Sequence, residues 1–334
     1  MKIVIPAPLE GRHREAISVA AQGAEVIDRM CRSTDEIAAL ITRDTDVLMT
    51  FRMPNDILER APGLKWVQLL SAGADWALGG PLKGVKIPVT NASGIHATPI
   101  AEYTLASMLA WAHKLHISLR AQLKHEWHRG GYMGEVDVLR DKTLGVVGYG
   151  SIGRETARLA RAFGMRVVAL KRNPEERRDT GWCPAGLGDP GGTIPEKWYG
   201  PDSRKALLAE SDFVTNTLPF TPHTKNFIGA EEIAAMKPGS YIVNIGRGGT
   251  IDERALAEAI KAGGIGGAGL DVFEHEPLEK ESPLWDLENV LLTPHISGGH
   301  KGYMDMACEL FAENLRRFTS GRPLLNVVDP ALGY

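Results

Sequence analysis

Cysteine is scarce in this 334-residue chain, and the three present, Cys31, Cys183 and Cys308, are odd in number and far apart. Neither a disulfide framework nor a CxxC-type zinc site is written that way, so they read as small, partly buried hydrophobes. Long apolar runs are missing as well: nowhere do about 18 apolar residues follow one another, which a membrane-crossing helix requires. The opening MKIVIPAPLE turns to proline after three apolar residues, too short for a signal-peptide core, and the expectation is a cytoplasmic protein. No charge of one sign dominates, since 38 basic residues face 41 acidic ones for a net charge of -3. Without a broad basic face to replace counterions, nucleic acid is excluded as a partner. The skew that marks disorder is absent too, with 43% hydrophobic and 24% charged residues.

What is present is alternation. The length fits two domains, each large enough for its own core. Short apolar, β-branched runs recur at residues 2–6, 46–51, 143–148, 166–170, 212–218, 241–245 and 289–293, as strands buried on both faces do. Helical patterns lie between them. In SIGRETARLARAF (151–163), Ile152, Thr156, Leu159, Ala160 and Phe163 fall on one side before Gly164 stops the helix. Alternating strand and helix predicts an α/β fold with doubly wound parallel sheets. The pattern breaks at residues 174–203, where Pro, Gly and charge crowd into a long insertion; its Trp182, Trp198 and Tyr199 predict that it packs down.

The stretch GVVGYGSIGRETA sets Gly148, Gly150 and Gly153 in GxGxxG spacing, after a strand and at a helix start. The first glycine permits the tight turn, the second lets a pyrophosphate approach the backbone, and the third lets helix and strand pack closely. Helix-start amides then meet the phosphate. Eighteen residues after Gly153, where a ribose-reading acid is expected, stand Lys171 and Arg172. These bases favour a 2′-phosphate at about 1.5–3 kcal/mol per charge-assisted hydrogen bond, so the expected cofactor is NADP, with NAD possible.

Arg247, Glu276 and His295 each follow a predicted strand, where open α/β sheets place ligands. With SAGAD (71–75), GYGSIG (148–153), LPFTPHT (218–224), MKPGSYIVNIGRG (236–248), DVFEHEPL (271–278) and TPHISG (293–298), the sequence resembles the D-isomer-specific 2-hydroxyacid dehydrogenases over most of its length. The resemblance implies that Arg247, Glu276 and His295 are catalytic, and that the backbone of Ser71, Ala72 and Gly73 joins Arg247 in binding a substrate carboxylate. It implies cofactor contacts from Gly148, Tyr149, Gly150, Ser151, Ile152, Gly153, Lys171, Arg172, Asn173, Leu218, Pro219, Ile245, Gly246, Asp271 and Gly298. It also implies a discontinuous flavodoxin-like substrate domain, 1–97 and 299–334, around a Rossmann nucleotide-binding domain, 98–298, and a homodimer for which the helical stretch 100–130 is the candidate interface.

The chemistry is coherent by itself. Arginine offers a planar fork that holds a carboxylate and polarises the neighbouring carbonyl. Histidine supplies a proton to the oxygen, and a carboxylate beside it favours the imidazolium and fixes its orientation. The expected activity is hydride transfer between NADP(H) and a small 2-keto or 2-hydroxy acid of the glyoxylate or hydroxypyruvate kind. Two alternatives stay open: a non-catalytic NAD(P)-binding interaction protein on the same fold, and a formate- or phosphite-type dehydrogenase. His96, His275 and His300 have no comparable context and read as structural. His113, His116, His125 and His128 lie near Trp111 and Trp127 without an acid partner in register, so no metal is expected.

Overall fold

The computed structural model describes residues 1–127 and 134–330. The described residues form two compact units. The first takes in Met1–His96, Thr180–Pro184 and the described part of His300–Tyr334; the second takes in the described part of Ala97–Asp179 and Ala185–Gly299.

The first unit holds a five-stranded parallel sheet of β1 (Lys2–Ile5), β2 (Glu25–Asp28), β3 (Val47–Thr50), β4 (Trp66–Leu69) and β5 (Val89–Thr90). Their order is β2-β1-β3-β4-β5. Side chains alternate between its faces, as the two-residue period of a strand requires. Ile3, Ile5, Val47, Met49 and Trp66 enter one core with the helix Tyr303–Thr319, while Val4, Leu48, Val67 and Leu69 enter another. The ring centroids of Trp66 and Phe311 are 5.1 Å apart.

The second unit holds seven parallel strands: β6 (Thr143–Val147), β7 (Arg166–Leu170), β8 (Lys197–Tyr199), β9 (Phe213–Asn216), β10 (Tyr241–Asn244), β11 (Gly267–Leu270) and β12 (Val290–Leu292). The order β12-β11-β10-β9-β6-β7-β8 reverses direction at β6 and β9, the kind of switch point at which open α/β sheets bind ligands. All seven predicted strands form. Of the remaining five, β2 is flanked by Glu25 and Asp28, β4 is interrupted by Gln68, β5 has two residues, β8 is a three-residue Lys-Trp-Tyr and β11 is half glycine, so none carries a continuous β-branched apolar run.

Two local expectations change. The helix Ser151–Ala162 buries Arg154, Glu155, Thr156, Ala157 and Ala160, whereas Phe163 is exposed. Its inward face is therefore rotated toward charged residues. Within the insertion, Thr180–Pro184 group with the first unit, although the sequence reading assigns all of 98–298 to one domain. There the Trp182 amide donates to Asn326 Oδ1 at 2.9 Å, and a side chain on Gly94 would come within 2.3 Å of the Trp182 carbonyl oxygen. Among the described residues no helix is long and apolar enough to cross a membrane.

Candidate functional site

The glycine turn follows β6. Gly148 has φ +96°, and the Thr217 hydroxyl donates to its carbonyl at 2.6 Å, which ties the turn to the end of β9. A Cβ on Gly153 would stand 2.4 Å from the Gly148 carbonyl oxygen, so only glycine permits this helix to start so close to the strand. At Gly150 the outcome is the opposite: an added Cβ would meet nothing within 4 Å. That open approach to backbone, before a twelve-residue helix that no side chain caps, suits a pyrophosphate with its need for unscreened amides. Ser151 and Ile152 begin that helix. Gly246 abuts Leu218 so closely that a Cβ would lie 2.6 Å from the Leu218 carbonyl oxygen, which sets Leu218 and Pro219 beside Ile245 and Gly246.

The insertion is fastened to this turn through buried polar groups. Tyr149, only 2% exposed, donates its hydroxyl to Asp189 Oδ2 at 2.8 Å. Asp189 also accepts from the amides of Thr193 and Ile194 at 2.9 and 3.0 Å. Burial opposes its charged form, but those hydrogen bonds outweigh burial and hold the carboxyl below its ordinary value. The Arg154 guanidinium donates to the Asp189 carbonyl and, at 2.7 Å, to the Arg177 carbonyl. Glu155 accepts from the Gly188 amide at 2.6 Å and from Arg158 at 2.6 and 2.8 Å. A buried charge is tolerated when hydrogen-bonded in this way, which explains the charged inner face of the helix.

Lys171 donates its ammonium to the Glu176 carbonyl. Burial and the nearby Arg154 cation pull that ammonium below the ordinary lysine value. The sequence reading gives Lys171 wholly to the cofactor; the structure engages one of its donors within the insertion. Arg172 and Asn173 are exposed beside it.

Arg247, Glu276 and His295 all belong to the second unit. Arg247 follows β10, and its carbonyl accepts from Thr250 Oγ1 at 2.5 Å and from Asn244 Nδ2 at 3.3 Å. Asn216 extends this buried net to Asn244 and Thr250 at 3.0 and 2.7 Å. The Arg247 and Glu276 segments meet at Gly248, where a Cβ would fall 1.8 Å from the Phe273 carbonyl carbon. Glu276 accepts the Phe273 amide on Oε1 at 3.0 Å, and its Oε2 is 2.8 Å from His295 Nδ1. A carboxylate only accepts, so Nδ1 carries the proton and Nε2 is the nitrogen left to face a reactant. His295 is about half exposed and has φ +54°, a left-handed conformation that costs a non-glycine residue energy.

Asp271 holds that conformation. It is fully buried, and its carboxylate accepts from the Thr293 hydroxyl at 2.6 Å, the Ile296 amide at 2.9 Å, and both the amide (3.0 Å) and hydroxyl of Ser297. Its carbonyl accepts the His295 amide at 2.9 Å. The sequence reading expects Asp271 at the cofactor; here its lone pairs are spent on the turn that carries His295 and leads to Gly298. Tyr103 backs the same turn through Thr293 at 2.7 Å, and burial raises its phenol to about 12.

Ser71, Ala72 and Gly73 lie in the first unit, after β4. Their carbonyls are taken by the Ala92 amide at 3.0 Å, the Asn91 side chain at 2.8 Å and the Ser71 hydroxyl at 2.7 Å. Among the described residues no acceptor takes the Ala72 and Gly73 amides. His116 is buried, 5.3 Å from Trp111 between ring centroids, with Nδ1 3.1 Å from the Ala110 carbonyl. Burial lowers its basicity. His128 lies outside the described residues.

Sequence reasoning missed Asn216, Asn244, Thr250 and Tyr103. Asn216 and Asn244 offered a signal, since a buried asparagine at a strand's carboxyl end must find partners.

Comparison with known proteins agrees with this arrangement. Residues 105–297 match the family described as "D-isomer specific 2-hydroxyacid dehydrogenase, NAD binding domain". A D-3-phosphoglycerate dehydrogenase of Methanocaldococcus jannaschii is 33% identical over 98% of the chain, which spans 59% of that relative's length. A glyoxylate reductase of Thermococcus kodakarensis is 35% identical over 86% of the chain and 84% of its own length. Among solved structures, an NADPH-dependent glyoxylate/hydroxypyruvate reductase from Sinorhizobium meliloti, in complex with NADP and sulfate, superposes with a TM-score of 0.78 at 27% identity, covering 100% of this chain and 99% of that one.

Proposed function

The chain belongs to the D-isomer specific 2-hydroxyacid dehydrogenase family, and on that premise we propose that it reduces a small 2-keto acid of the glyoxylate or hydroxypyruvate kind to the D-2-hydroxy acid with NADPH. The observation that carries this reading is the 2.8 Å pair of His295 Nδ1 and Glu276 Oε2, in the same unit as the glycine turn.

Arg247 pairs with the substrate carboxylate through its planar fork and polarises the adjacent carbonyl. The Ala72 and Gly73 amides of the first unit are donors that suit an anion. His295 gives its Nε2 proton to the carbonyl oxygen, and Glu276 stabilises the charged imidazole before transfer and fixes the ring that delivers it. The nicotinamide, when bound, supplies the hydride. Gly148, Gly150 and Gly153 with the amides of the following helix seat the pyrophosphate, while Arg172 and the remaining Lys171 donors meet a 2′-phosphate. The first unit serves as substrate domain and the second as nucleotide domain.

The reductase is a homodimer in this reading. Leu119, Leu123 and Trp127 are 60%, 83% and 90% exposed, an apolar run that a second copy covers. The test is nicotinamide oxidation followed by absorbance, with NADPH and NADH in parallel, against glyoxylate, hydroxypyruvate and pyruvate. NADPH oxidation that depends on a keto acid supports the reading; tight NADPH binding with none of these turned over rejects it.

A further inference from the structure

The turn that carries Glu276 is gripped by a second carboxylate to which the mechanism gives no part. Glu253 opens the helix Glu253–Lys261 and is half-buried. Its side chain accepts the Glu274 amide, while the amide just before, that of Phe273, goes to Glu276 Oε1 at 3.0 Å. Two successive amides of one turn are thus held by two different carboxylates. Burial and the charges of Glu274 and Glu276 push the Glu253 carboxyl above its ordinary value, and the Glu274 amide is the strongest influence in favour of its charge.

The base of this grip is firm. Asp252, the preceding residue, caps the helix by accepting the Ala255 amide at 2.9 Å, and its own amide donates to the Ile228 carbonyl at 3.0 Å. Ile228 and Ile251 are buried and bridge to one another, and the Thr250 hydroxyl donates back to the Arg247 carbonyl. The segment from Arg247 to Glu253 therefore meets the Glu276 turn twice. Gly248 packs against the Phe273 peptide with no room for a side chain, which limits how near the two can come. Glu253 limits how far apart they can move.

We propose that Glu253 is a positioning residue for the reaction: by clasping the Glu274 amide it fixes the spacing between Arg247, which holds the substrate carboxylate, and the Glu276–His295 pair, which delivers the proton. This rests on the roles given to those three residues above. Arg247 and His295 act on adjacent groups of one small substrate, so a shift between their segments misaligns both ends of it. A displacement of about 1 Å is enough to cost on the order of a hundredfold in rate.

The experiment measures kcat, and KM for NADPH, with glyoxylate, hydroxypyruvate and pyruvate in the full-length protein and in Glu253→Ala, Glu253→Asp and Glu253→Gln. Thermal melts confirm folding, and hydrogen exchange follows residues 271–278. Glu253→Asp keeps the charge but is one methylene short. It and Glu253→Ala should lower kcat by about tenfold or more, with KM for NADPH unchanged and exchange across the turn accelerated. Glu253→Gln keeps an acceptor oxygen at full reach and should restore most of the loss. Normal kcat in folded Glu253→Ala and Glu253→Asp, with a large loss in His295→Ala, overturns the role of Glu253 and leaves the catalytic pair standing. Glu253→Gln as slow as Glu253→Ala, or exchange at the wild-type rate in Glu253→Ala, overturns the clasp in the same way. Normal kcat in His295→Ala, or a wild type inert towards all three keto acids, overturns the catalytic reading and this role with it.

Discussion

His295 is held from two directions: its Nδ1 lies 2.8 Å from Glu276 Oε2, and its amide donates to the Asp271 carbonyl at 2.9 Å. The first contact selects which ring nitrogen faces a reactant, and the second anchors the left-handed backbone. Loss of the imidazole removes the proton donor without touching the glycine turn. His295→Ala should lower kcat by about a hundredfold or more while NADPH affinity, read by fluorescence titration, stays close to wild type. Near-normal turnover would sink the acid role.

Asp271→Asn removes two acceptor sites from the turn while keeping its volume. The amides of Ile296 and Ser297 and two hydroxyls compete for what remains, so stability should fall by about 1–3 kcal/mol in urea unfolding, and kcat should drop with it. A stable variant of unchanged activity would show that the turn holds itself.

At Gly248 no side chain fits, since a Cβ would fall on the Phe273 peptide. Gly248→Ala must push apart the Arg247 and Glu276 segments, at about 1–3 kcal/mol for overpacking and with loss of turnover. Gly200→Ala, where nothing lies within 4 Å, is the control. Similar melting temperatures for the two variants would contradict the close approach.

The anchor of the insertion is sensitive to acid. The Asp189 carboxyl is held below its ordinary value in the folded protein, so its contribution is complete above the unfolded carboxylate range and is lost as pH falls through the lower folded value. Hydrogen exchange across residues 185–199 should accelerate below about pH 4. In Asp189→Asn that exchange should already be fast at neutral pH. Equal protection in both proteins would remove Asp189 as the fastener.

Charge on the apolar run tests the dimer. Leu123→Glu with Trp127→Glu should convert a dimer into monomers by sedimentation, because a buried unpaired charge at an interface is costly. Both positions are exposed in the single chain, so the fold itself should melt as before. A wild type that sediments as a monomer would refute the interface.

Much of this was legible in the residues alone. Continuous apolar runs gave seven of the strands because a strand buried on both faces has no polar alternation to hide it. Gly148, Gly150 and Gly153 announced a close-approach turn because spacing and absent side chains are properties of the sequence. Arg247, Glu276 and His295 stood out by residue type and by their places after strands.

Tertiary structure alone decided the rest. Arg154 and Glu155 look like solvent-facing helix residues, and Tyr149 like a member of the glycine turn, until Asp189 and Gly188, more than thirty residues away along the chain, supply partners that let them be buried. Asp271 read as a ligand contact, and became the fastener of the 293–297 turn only when β11 and β12 lay side by side. His300 read as structural, and that both its ring nitrogens are buried with no hydrogen-bond partner among the described residues is a fact only of the folded chain. In each case the deciding quantity is hydration lost or replaced on burial, which depends on what arrives from distant parts of the chain and is encoded in no local pattern.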